Sequence, residues 1–166
     1  MIGGPVAADS EVRPPSHAMS SKRPRVFGTT DDAIAKAEAA LSLTFPPSFR
    51  AWLLEHNGRS IEGVTIFQVM DQRDPRMTWD SIDRRFREGW AGWLANFADE
   101  HRDFTHLLPF ADFGTGDFYC FDYSRLDSQG EPPVVRWSHE TGDTEDRAPS
   151  FSEFVTDVQA GEFAND

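Results

Sequence analysis

Residues 107–123, LLPFADFGTGDFYCFDY, constrain the fold more than any other part of the chain. Leu107–Phe110 is a short apolar run, and Asp117–Tyr123 is a longer run of Phe and Tyr, residue types that favour strands. Ala111–Gly116 lies between them and holds two glycines. Glycine takes positive φ at no steric cost, so this segment reads as a hairpin turn. A turn this short joins antiparallel neighbours, because a parallel return needs a crossover of about a dozen residues or more.

Further elements follow from turn and cap chemistry. Ser128–Pro132 reads as a turn and Pro133–Trp137 as a third strand, whose prolines mark an edge or a strand start. Ser138–Ala148 reads as a polar, acidic loop. Pro149-Ser150 then opens a last helix, with Ser150 and Glu153 in capping-box spacing and Phe151, Phe154, Val155 and Val158 on its apolar face. Upstream, Thr29 and Thr30 precede Asp31 and Asp32, a helix start, and Ile34, Ala37 and Leu41 recur at helical spacing. Pro46 ends that helix, and Pro47-Ser48 opens another that carries Phe49, Trp52, Leu53 and His56. Asn57-Gly58 closes it, with either residue suited to the left-handed cap. Residues 61–70 alternate as a strand, and residues 71–78 form a loop around Pro75. A helix from about Trp79 to Asp99 carries the stripe Ile82, Phe86, Trp90, Trp93, Phe97.

Two helices, a strand, a helix, three strands and a helix make an α+β domain: a mainly antiparallel sheet flanked by helices. A chain of 166 residues fits one domain. Residues 1–28 mix Gly, Pro, Ala and Ser without periodicity and read as a flexible tail, with the KRPR run at Lys22–Arg25 and a second plausible start at Met19. The folded domain is expected over residues 29–166.

Charge is uneven. The net −12 resides in residues 99–166, which hold 4 basic and 16 acidic residues. Such a field repels nucleic acid and anionic membrane and attracts a basic partner, although solubility alone also explains it. No apolar run reaches the length of about 18 residues that a membrane helix needs, and no leader with an apolar stretch is expected. The lone Cys120 cannot form an internal disulfide and reads as a buried thiol, so a reducing cytoplasm is expected.

Catalytic signatures are weak. HEXXH, the Gly-x-Ser-x-Gly elbow and EF-hand spacing are absent, and FGTGDF precedes a strand rather than the helix that a phosphate loop requires. A Cys120–His139 nucleophile and base lacks any feature that would lower the thiol pKa. No catalytic residue, metal or cofactor is expected.

Four segments in register resemble the SUKH superfamily, Smi/Knr type. They are Ile34–Leu41 with FPPSFRAWLLEHNG (Phe45–Gly58); LLPFADFGTGDFYCFDYS (Leu107–Ser124), through Gly116, Asp117, Tyr119, Cys120 and Asp122; PPVVRWSHE (Pro132–Glu140); and SFSEFV (Ser150–Val155). The resemblance spans about residues 31–160. Phe121 stands where Leu is usual, and residues 71–104 form a longer, Trp-rich insert. The resemblance implies an α+β fold. In bacteria it implies immunity to a secreted or contact-delivered toxin, often a nuclease; fungal relatives are cell-wall regulators and interaction hubs. The expected partner is therefore a cognate basic toxin protein, bound one-to-one by a monomer, with an intracellular regulatory or scaffold module as the alternative. The acidic and aromatic residues expected to bind it are Asp112, Asp117, Tyr119, Trp137, His139, Glu140, Asp143, Glu145 and Asp146. Their carboxylates would pair with Arg or Lys, and their aromatics would anchor the centre.

Overall fold

Six strands pair in the order in which they occur, every neighbouring pair antiparallel: β1 Ser60–Ile61, β2 Val64–Ile66, β3 Leu107–Asp112, β4 Phe118–Asp122, β5 Val134–Trp137 and β6 Thr144–Ala148. The computed structural model describes residues 27–166. The tail expected over residues 1–28, with its KRPR run and Met19, lies outside them except for Phe27 and Gly28. Those two already pack on the second helix: the Gly28 N–H donates to the Asn57 carbonyl, and Arg59 sits over the Phe27 ring.

The helices form where their caps are. Thr30 accepts from the Ala33 N–H and starts α1 Asp31–Leu41. Pro47 opens α2 Pro47–His56. Ser150 accepts from the Glu153 N–H and starts α5 Phe151–Gln159. Between β2 and β3 the chain runs end to end through α3 Ile82–Arg85, a π-helical turn Phe86–Trp90, α4 Ala91–Leu94 and a 3-10 stretch Ala95–Glu100. The expected regular helix from Trp79 is thus corrected. It begins at Ile82, capped by Ser81, leaves Trp79 outside, and winds through three geometries.

Two strand expectations are also corrected, and an open one is decided. Residues 61–70 are not one strand. Glu62 and Gly63 both take positive φ, which makes the two-residue turn of a β1–β2 hairpin. The segment 138–148 is not all loop, since its second half is β6, paired with β5 in register Trp137↔Thr144 and Arg136↔Glu145. The prolines before β5 mark its start and not an edge, because β5 lies between β4 and β6.

The sheet has one core on each face. On one, Phe49 from α2 meets Phe45, Phe110, Phe121 and Phe151 edge-on, and Phe110 stacks on Phe121 at 4.0 Å. On the other, Trp137 packs against Trp90, Phe97, Phe104 and Phe118. Truncating any of these rings to alanine would cost about 3–5 kcal/mol. All of β4 is buried, so both of its faces are covered. No helix among the described residues is long and apolar enough to cross a membrane.

Candidate partner-binding face

β4, β5 and β6 bring the acidic segment to the β6 edge of the sheet. The β5–β6 turn is held from two directions. Asp117, at the entrance to β4, accepts from Arg136 Nε and Nη2 at 2.9 and 2.6 Å. Its other oxygen accepts the His139 N–H at 3.0 Å and lies 2.5 Å from His139 Nδ1. Burial opposes ionisation of Asp117, but the bonds from His139 and Arg136 outweigh it and hold the carboxyl below the usual range. From the other side Arg102 reaches the turn and donates to Asp143 and to the Thr141 and Gly142 carbonyls. Asp117, Asp143 and Glu145 share the wall of a depression of about 360 Å³ with Arg136.

The nine residues expected to bind a partner therefore divide. Glu140, Asp143, Glu145 and Asp146 are exposed on the turn and on β6. His139 is half-buried beside them, its ring 5.0 Å from that of Trp93. Asp117 is buried and acts as the clamp under the turn. Asp112 lies apart, at the end of β3 facing Arg85 at 3.3 Å, and burial raises its carboxyl.

Tyr119 and Trp137 must be corrected. Both are 0% exposed, so neither can anchor a partner. Tyr119 packs on Phe154, and its hydroxyl donates to Asp166 at 2.9 Å. Trp137 lies in the opposite core. The alternation that put aromatics on both faces of β4 reflects two buried faces, not a binding surface.

Sequence reasoning missed the arginines. All four basic residues of segment 99–166 are paired within the molecule: Arg102 with Asp143, Arg125 with Asp122 and Asp146, Arg136 with Asp117, and Arg147 with Asp166. A bulge opposite Val134 and Val135 leaves Arg147 as the extra residue of β6, and its side chain reaches Asp166. The surplus acids stand without cations. Asp99, Asp103, Asp127, Glu140, Glu153, Asp157 and Glu162 make no ion pair among the described residues. Nothing in one-dimensional spacing reports such pairing; only the scarcity of basic residues hinted at it.

Cys120 is fully buried in β4, and burial, with Asp122 nearby, pushes its thiol pKa up. The His139 ring is engaged by Asp117 rather than by sulfur.

The model of the SMI1 / KNR4 family (SUKH-1) matches residues 28–157. No curated protein matches the chain.

Proposed function

Because the chain belongs to the SMI1 / KNR4 family (SUKH-1), we propose that it is a toxin-neutralising immunity protein that acts by binding and carries out no catalysis of its own. Its target is a cognate secreted or contact-delivered toxin domain with a basic surface, of the nuclease type or another, met in the cytoplasm. One observation carries this reading: the acidic C-terminal part of the molecule spends every arginine internally, on Asp143, Glu145 and Asp146 among others, and still leaves exposed carboxylates without an ion pair, Glu140 of the β5–β6 turn among them. Exposed carboxylates on a rigid hairpin steer a cationic partner and pair with its Arg or Lys. The same acids also guard β6, an edge strand, against pairing with another chain, and this competing role needs no partner. A buried thiol with a raised pKa supports binding over nucleophilic chemistry.

The test is co-purification with a toxin-like protein encoded beside this gene, followed by association kinetics against salt. Glu140 makes no ion pair, so Glu140→Lys tests charge without disturbing the fold. The expected result is a slower on-rate for the variant and an on-rate for the parent that falls as salt rises. A neighbourhood with no toxin-like gene, or an on-rate indifferent to both changes, would sink the reading.

The alternative, an intracellular regulatory scaffold of the Smi/Knr type, draws on a different face. Trp79 is 61% exposed in the insert, with the Arg84 guanidinium 4.6 Å from its ring. A scaffold holding a second partner would use such an aromatic.

A further inference from the structure

Beside the acidic turn runs an apolar groove of about 340 Å³, between the helical segment 86–98 and the loop 102–105. Trp90, Phe97 and Phe104 form its floor and are buried against the sheet, whereas Phe86 and Leu94 are half-buried and Ala98 is exposed along its wall. Along the helical segment these residues recur turn by turn, so the groove follows a helix and offers ridges against which a second helix can pack.

Its polar rim is one-sided. Asp99, Glu100 and Asp103 are exposed at one end. Arg102, the cation among them, lines the groove with its guanidinium 5.3 Å from the Phe104 ring, but its donors are taken up by Asp143 and the Thr141 and Gly142 carbonyls, with Glu100 at 3.9 Å. The same bonds draw the acidic turn against the groove: a Cβ on Gly142 would lie 3.1 Å from the Phe97 ring. Asp143, bonded to Arg102, therefore adjoins the acidic rim, and Glu140 is exposed on the same turn. At the other end Arg84 and Arg87 are paired with Glu88 and Asp83. An apolar centre with a charged rim is the anatomy of a protein interface.

We propose that this groove docks the apolar face of a basic amphipathic helix supplied by the partner. The inference rests on the protein-binding reading above and gives that partner a chemistry: apolar residues at helical spacing, flanked by Lys or Arg. The apolar side chains displace water from the groove, while the basic flanks meet Asp99, Glu100, Asp103, Glu140 and Asp143.

Two synthetic helical peptides test it on the full chain, one patterned with leucine and lysine, the other with glutamate in place of lysine. Amide shift perturbation locates binding, and calorimetry measures it. The lysine peptide is expected to perturb residues 86–105 and to bind about tenfold or more tightly than the glutamate peptide. Ala98→Glu separates docking from charge attraction. It narrows the groove but adds an acid at an exposed position, so docking predicts about tenfold weaker binding with the thermal midpoint unchanged. Equal binding of the two peptides, perturbation elsewhere, or binding unchanged or tightened by Ala98→Glu would overturn the proposal. Peptide docking here without toxin neutralisation would keep the groove and remove the immunity reading. Neutralisation indifferent to Ala98→Glu would keep that reading and remove the groove.

Discussion

Arg102 donates to the Asp143 carboxylate at 2.9 Å, which fastens the β5–β6 turn to the loop that leaves the helical segment. The ion pair itself is exposed and contributes little. The bonds to the Thr141 and Gly142 carbonyls, at 2.6 and 2.9 Å, hold the turn more firmly. Arg102→Ala is expected to cost about 1 kcal/mol in urea unfolding and to speed amide exchange at residues 141–143. Gly142→Ala should cost more, about 2 kcal/mol. Its φ of 75° is left-handed, and the new Cβ meets Arg102 Nη1 at 2.8 Å. If both variants unfold with the parent, the turn is not held as described.

Asn57 supports the fold in a way its place in an Asn-Gly pair conceals. Gly58, with φ of 96°, takes the left-handed position, and Asn57 does not. Its side chain is instead buried and pairs with Val69 like a strand: Nδ2 donates to the Val69 carbonyl at 3.1 Å and Oδ1 accepts the Val69 N–H at 2.8 Å. Asn57→Ala strands two backbone groups away from water and is expected to cost about 2–4 kcal/mol. Urea midpoints check it, and a loss below about 0.5 kcal/mol would show that water replaces the amide.

These examples show what the sequence makes legible. Thr30, Ser150 and Pro47 mark helix starts because a cap acts locally, within one turn. The aromatic runs of β3 and β4 announce a buried hairpin because both faces are apolar. By contrast β6, TEDRA, is an edge strand with little apolar alternation, and only its pairing to β5 makes it a strand. Alternation runs on past Glu62-Gly63, so the β1–β2 hairpin reads as one strand. For the site, the acidic turn was legible from composition. That Tyr119 and Trp137 lie inside was not, because an aromatic on a strand looks the same under a helix as under a partner.

Acid should unfold the protein partly through Asp71. Arg73 donates to it at 2.7 Å, and Thr29 does so at 2.7 Å. The Arg73 bonds, opposed by burial and assisted by Thr29, lower its carboxyl to about 2 from an ordinary 3.8. A depressed carboxylate adds stability above its unfolded pKa and loses it as pH falls through the folded value. The contribution, about 2 kcal/mol, is therefore complete at neutral pH and disappears between about pH 4 and pH 2. Asp71→Asn should lower stability at pH 7 and flatten its decline across that window. A variant with an unchanged acid limb would assign the decline to other carboxylates.

The start of α2 is stabilised from far along the chain. Glu131, buried in the loop before β5, accepts from the Ser48 N–H and hydroxyl, each at 2.8 Å. Pro46 supplies no side-chain cap of its own, so this carboxylate satisfies a first-turn donor and faces the positive end of the helix dipole. Glu131→Gln keeps an acceptor oxygen and removes the charge, and is expected to cost about 1 kcal/mol. Glu131→Ala leaves the Ser48 N–H half-buried without a partner and should cost about 2–3 kcal/mol. Because Phe49 follows at once and centres the aromatic core, the loss should spread beyond α2. Faster amide exchange would then appear in β3 and β4 as well as at residues 48–50. Exchange confined to α2 would show that the cap serves its own helix alone.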